Sequence, residues 1–140
     1  MNTFLPYPSF TQSAQCLDRL RLNKQRSECL TMLRTNLGLS SAWKNHPCTK
    51  QWHGFEHSLS LYAWEIIKEW KKRDYCDSCE EKLLNLIPRR EFLDNSVPEP
   101  PWLGNYYFHS SHRAALLYKN FDHYSKFGWT EEPKLDYFWG

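Results

Sequence analysis

The sequence predicts an all-α protein: a small single-domain helical fold over residues 1–140, with an extended N-terminal segment and an irregular aromatic C-terminal tail. Three observations predict it. Apolar residues recur at spacings of three and four, the period of a helix face. Little of the chain alternates in the two-residue rhythm of a strand. Aromatic residues make up 16% of the chain, with seven Trp and eight Tyr, so the mean hydropathy of −0.74 describes a charged surface on a packed body rather than a disordered chain. At 140 residues one such body can bury a real core.

The elements follow in order. Residues 1–10 (Met-Asn-Thr-Phe-Leu-Pro-Tyr-Pro-Ser-Phe) are interrupted by two prolines and read as extended. Thr11 or Ser13 can cap a helix running to about Thr35, since no Gly or Pro follows until Gly38. Asn36–Ser41 reads as a loop and Trp43–Pro47 as a turn. From about Cys48 to Arg73, the residues Trp52, Phe55, Leu59, Tyr62, Ile66 and Trp70 mark one apolar helix face. A short helix is expected over Glu80–Ile87, then a polar, Pro-rich loop from Pro88 to Pro101. A last helix is expected from Ser110 to about Tyr124, followed by the tail from Phe127 to Gly140. No apolar run is long enough to span a bilayer and the N-terminus lacks a signal-peptide core, which places the chain in the cytoplasm without a membrane partner.

Charge is divided unevenly along the chain. Residues 1–50 carry seven Lys or Arg against Asp18 and Glu28, a net +5, whereas residues 51–140 carry a net −3. Positive charge concentrated in the first third suits a polyanion, and nucleic acid leads. On a wheel of about 100° per residue, Leu22, Cys29, Met32 and Leu33 of the first helix share a side. Asp18, Gln25 and Arg26 fall on or beside it, and Arg21, Lys24 and Glu28 gather toward one flank. Polar groups on an apolar stripe need partners or a wet cleft. One reading is a buried pair such as Asp18–Arg26, or ordinary solvated helix charge. The other is a cleft lined by Arg21, Lys24, Gln25 and Arg26 that grips phosphates.

Two further clusters carry chemistry. Trp43-Lys44-Asn45-His46-Pro47, with Trp52, combines types that stack on unpaired bases with types that touch the backbone, although Trp52 by itself is read as core. In Phe108-His109-Ser110-Ser111-His112-Arg113, a serine could cap the last helix and leave its first-turn N–H groups free for an anion, with Arg113 in that turn and Lys119 two turns on. The alternative is a plain cap with two surface histidines. Cys76-Asp77-Ser78-Cys79 has the spacing of half a zinc site, but His109 and His112 are too closely spaced to complete it, and no metal or other cofactor is expected. The remaining cysteines read as thiols, Cys16 and Cys29 as small core residues. No nucleophile-elbow, phosphate-loop or dinucleotide motif is present.

The Leu17–Leu33 helix, Trp43-Lys44-Asn45-His46-Pro47, the Trp52–Arg73 helix and the His109–Arg113 segment together resemble the pyrimidine-dimer DNA glycosylase (endonuclease V type) family. The likeness is greater to a phage and bacterial branch with Thr-Phe-Leu-Pro-Tyr-Pro near the start, Lys-Gln-Arg on the first helix and Pro-Trp-Leu-Gly before Phe-His-x-Ser-His-Arg; a phage product would work in its bacterial host. The resemblance implies a compact helical fold whose N-terminus threads between helices. It also implies a glycosylase with abasic-site lyase activity on damaged or modified bases of double-stranded DNA. In that chemistry the free α-amine attacks C1′, expels the base as an imine forms, and allows β-elimination. α-Amines as a class are partly neutral at physiological pH, as a nucleophile must be.

Residue 2 in this chain is Asn, where the family exposes a small residue on loss of the initiator Met. Lys24-Gln25 falls where the family has Arg-Glu, and a glutamine cannot carry a proton as a carboxylate does. Met1 or Asn2 is therefore assigned as the amine, and Gln25 and Glu28 as the polar catalytic candidates. Arg21, Lys24, Arg26, Lys44 and Arg113 are assigned to DNA, with His46, His109 and His112 lining the site, in a protein expected to be monomeric. The rivals are a non-catalytic DNA-binding protein on the same scaffold and a small module that binds a protein or nucleotide through its aromatic cleft.

Overall fold

The computed structural model describes residues 1–88 and 97–140, so part of the expected Pro88–Pro101 loop lies outside the described residues. Seven helices and no strand occur among the described residues: α1 (Phe10–Cys16), α2 (Arg19–Asn36), α3 (Pro47–Gln51), α4 (Glu56–Lys72), α5 (Cys79–Leu86), α6 (Tyr106–Lys119) and α7 (Phe121–Tyr124). A 3-10 turn at Ser125–Phe127 leads into the irregular tail. The all-α class read from the periodicity is correct. No helix among the described residues is long and apolar enough to cross a membrane.

Three expected helices are broken where tertiary contacts outweigh local preference. The helix expected from Thr11 or Ser13 to Thr35 is two helices, α1 and α2. Ser9 caps α1 by accepting from Gln12 N at 3.1 Å, while Ser13 is buried and its hydroxyl bonds both the N–H and the carbonyl of Tyr7. Leu17 and Asp18 are extended. The break is held from α7: the Tyr124 hydroxyl accepts from Asp18 N at 3.0 Å and donates to the Asp18 carboxylate. The helix expected from Cys48 to Arg73 divides into α3 and α4 around Gly54, whose φ of +87° is costly for any residue with a Cβ. The last helix begins a turn earlier than Ser110, because Asn105 is the cap and accepts from Tyr107 N and Phe108 N. Ser110 and Ser111 therefore lie inside α6, and the anion site expected at a helix start there is not formed. Asn120 then ends α6 and caps α7.

α2 packs on α4, with α1 and α5 also against α4. The core joins Leu22, Cys29, Met32 and Leu33 of α2 to Leu59, Tyr62, Ala63 and Ile66 of α4, with Phe108 and Leu116 from α6. Trp52 is core, as expected: it is fully buried, stacked on Tyr62 and edge-on to Trp102. The extended N-terminus runs through this body instead of over it. Asn2 to Pro6 are buried, and such a segment needs partners for every peptide group. α2, α4 and α6 each supply them.

Candidate functional site

Those partners define the site. Gln25 of α2 is fully buried. Its Nε2 donates to Asn2 O at 2.6 Å and its Oε1 accepts from Phe4 N at 3.2 Å. A carbonyl on one side and an N–H on the other fix the amide's orientation. From α4, the Tyr62 hydroxyl sits 2.7 Å from Gln25 Oε1 and 2.8 Å from Phe4 O; burial pushes this phenol well above its ordinary pKa. Trp52 Nε1 donates to Thr3 Oγ1 at 3.0 Å. From α6, two histidines hold the Leu5 peptide at both ends: Leu5 N donates to His112 Nδ1 at 2.9 Å, and His109 Nδ1 lies 2.7 Å from Leu5 O. Gly104 N donates to His109 Nε2, so His109 carries its proton on Nδ1 and His112 carries its proton on Nε2. Burial holds His112 down to about 3, and His109 is lowered by the same cause. Arg113 completes the grip, with Nη1 donating to Pro6 O at 2.8 Å.

The segment delivers the chain start to a cleft of about 300 Å³, lined by Met1, Asn2, Phe4, Leu20, Arg21, Lys24, Gln25, Glu28, Lys119, Leu135 and Tyr137. Six residues singled out from the sequence thus meet in one place: Met1, Asn2, Arg21, Lys24, Gln25 and Glu28. Asn2 N points its hydrogen at Glu28 Oε2, 3.4 Å away. Arg21 bridges to Asp18 at 3.1 Å while facing the cleft, and Lys24 is exposed. Lys119 arrives from the last turn of α6. Burial lowers its pKa first, and the positive charges of Arg21 and Lys24 lower it further, while Glu28 opposes them. Three cations and one carboxylate therefore share the space around the N-terminal residues.

The other expected site residues lie elsewhere. Arg26 turns away from the cleft: its guanidinium bonds Asp77 at 2.6 and 2.9 Å and lies over the Trp70 ring. The pair on this stripe is Arg26–Asp77, and Asp18 pairs with Arg21 and Tyr124 instead. Arg113 is committed to Glu131 and Pro6. His109 and His112 sit behind the N-terminal segment. His46 caps α3, its Nδ1 accepting from Cys48 N at 3.1 Å; its pKa is lowered by burial, with the positive chain terminus as a second cause. Lys44 is exposed beside Trp43. Cys76 is exposed and Cys79 buried, and no group of three or more metal-ligating side chains forms among the described residues.

Leu20, Lys119, Leu135 and Tyr137 were not assigned to a site from the sequence. Lys119 had one legible signal, its place at the end of a helix that also carries Arg113. The tail residues had none, because only long-range contacts bring them in: Gln51 Nε2 donates to Trp139 O, and Phe138 N to Ser111 Oγ.

The described residues thus form a small helical protein whose buried, extended N-terminus ends beside a carboxylate in a cationic cleft. The model of the pyrimidine dimer DNA glycosylase family matches residues 1–83, more than half of the chain, and the protein belongs to that family. The family is one of DNA repair glycosylases, so DNA is the class of polyanion concerned. The match includes the N-terminal segment, α1 to α4 and the start of α5; Lys119, Leu135 and Tyr137 lie beyond it. No curated protein and no solved structure matches the chain.

Proposed function

We propose that the protein removes a damaged or modified base from double-stranded DNA and then nicks the strand, using its N-terminal amine as nucleophile and Glu28, not Gln25, as the proton-handling carboxylate. One observation carries this reading: Glu28 Oε2 lies 3.4 Å from Asn2 N, within the cleft that Arg21, Lys24 and Lys119 make cationic. When Met1 is removed, Asn2 N becomes the α-amine, already beside a carboxylate that can take its proton. The amine attacks C1′ and the base leaves with the bonding electrons. Glu28 gives the amine's proton to the ring oxygen as the sugar opens to an iminium; ionised again, it removes a C2′ proton, and the 3′ phosphate departs by β-elimination. Where Met1 is kept, the amine is its own, one residue before Asn2 and still in the lining of the cleft.

Gln25 has a positioning role in this scheme, since all of its polar atoms are spent on the N-terminal segment. Arg21, Lys24 and Lys119 hold phosphates flanking the target, and their contacts offset the few kcal/mol of exposing a nucleotide from the stack.

The test is strand nicking on three duplexes: ultraviolet-irradiated, abasic and undamaged. Nicking of the first two but not the third supports the reading. Salt-sensitive binding without nicking of any duplex would instead identify a non-catalytic DNA-binding protein on this scaffold.

A further inference from the structure

Trp43 is built unlike the other tryptophans. Its φ is +59°, in the left-handed region where a bulky side chain is a true outlier. The backbone is pinned there from both sides: Ala42 O accepts from Thr35 Oγ1 at 2.6 Å, and Trp43 O accepts from His46 N at 3.0 Å. The indole points outward and is 55% exposed, whereas Trp52, Trp70 and Trp102 are buried in the core. Neither feature helps the free protein fold. Glycine would suit the backbone better, and a polar residue would suit the exposure.

The indole is also joined to the cleft. Trp43 meets His46 edge-on at 5.6 Å, His46 meets Trp139 at 6.4 Å, and Trp139 meets Tyr137 at 5.6 Å. Tyr137 is a wall of the cleft. This row of rings runs outward from the cationic pocket, and exposed Lys44 is the next residue after Trp43 at its outer end. A flat apolar surface beside a cation matches one feature of DNA, a base that has left its pair. In an intact duplex the faces of the bases are covered by their neighbours, so stacking on an indole requires a base already displaced.

We propose that Trp43 is a stacking site for an unpaired nucleobase next to the target nucleotide, by which the protein tells distorted duplex from intact duplex. The proposal rests on the DNA-binding half of the function proposed above and is independent of the imine chemistry. Trp43 acts on binding, and its ring lies at the far end of the aromatic row from the amine.

The experiment measures binding to two short duplexes of one sequence at one salt concentration. One is fully paired; the other carries a stable abasic analogue with a mismatched, unpaired 2-aminopurine as its neighbour on the same strand, whose fluorescence falls on stacking. The wild-type protein quenches the probe and binds the second duplex about tenfold more tightly, within the range that base–aromatic stacking supplies. Trp43→Gly, which removes the backbone conflict, keeps or raises the melting temperature yet loses the quenching and the preference, and Trp43→Phe keeps part of both. A Trp43→Gly protein with wild-type preference and quenching would overturn the assignment. Trp43-dependent preference in a protein that nicks nothing would sink the catalytic reading alone. A wild-type protein that binds neither duplex would sink both.

Discussion

Replacing Gln25 by glutamate separates a positioning role from a proton-carrying one. The side chain is fully buried and makes three hydrogen bonds, one as donor and two as acceptor. A glutamate keeps the two accepted bonds, from Phe4 N–H and the Tyr62 hydroxyl. It loses the donor to Asn2 O, and an ionised oxygen is left facing a carbonyl 2.6 Å away. An orphaned buried carbonyl costs about 1–3 kcal/mol, and a carboxylate forced into this dry position adds to that. The expected total for Gln25→Glu is about 3 kcal/mol at pH 8. The variant can recover most of it by staying protonated, since a neutral carboxylic acid again donates to Asn2 O. Its carboxyl pKa is thus raised on folding, so stability is full below about pH 4, the unfolded value, and falls as pH rises through the folded value. With a urea m-value of about 2 kcal/mol/M, the unfolding midpoint should lie about 1.5 M below wild type at pH 8 and approach it at pH 4. Nicking should fall along with the order of the N-terminal segment. A Gln25→Glu protein as stable as wild type at pH 8, or more active, would refute the clamp and return position 25 to catalysis.

Other expectations follow from the same geometry. Glu28→Gln should fold normally and bind DNA as wild type, because Glu28 makes only one long contact with the N-terminal segment, yet lose about 100-fold or more in single-turnover nicking. Arg21→Ala, Lys24→Ala and Lys119→Ala should each reduce the slope of log affinity against log salt by about 1. Arg26→Ala should leave that slope unchanged and lower the melting temperature, since its charge is spent on Asp77 and Trp70. Neutral His112 accepts from Leu5 N, and its folded pKa of about 3 lies well under the ordinary 6.5. Its contribution to stability should be complete above pH 6.5 and be lost as pH falls toward 3. Urea unfolding of wild type and His112→Asn over that range would show it as a steeper acid loss in the wild type.

The sequence made the helical class legible because its apolar residues keep a helical period through α4. It also made half of the site legible. Arg21, Lys24, Gln25 and Glu28 fall within eight residues of one helix, so the wheel alone puts them near one another. It could not show the breaks at Leu17–Asp18 and Trp52–Phe55. The first depends on Tyr124, 106 residues away, and the second on a left-handed turn at Gly54 that an isolated glycine does not announce. The wheel sets Arg26 apart from Arg21, yet it could not show that only Arg21 stays in the cleft. The difference is Asp77, which takes Arg26 out of the cleft from the start of α5. His109 and His112 have the residue type of catalysis but serve as hydrogen-bond partners for Leu5, and only the threaded N-terminus gives them that task. Tyr137 and Leu135 reach the cleft from a tail with no periodicity to read.

The central claim is that the N-terminal amine is the reacting group. Its most direct measurement is borohydride trapping of the protein on an abasic duplex, followed by mass spectrometric mapping of the adduct and of the intact N-terminus. The account predicts a covalent protein–DNA species with the link on the first residue of the mature chain, Asn2 after loss of Met1 or Met1 where it is kept, and in Glu28→Gln the same species with nicking lost. An adduct on Lys24 or Lys119, or none under conditions where the duplex is bound, would contradict it.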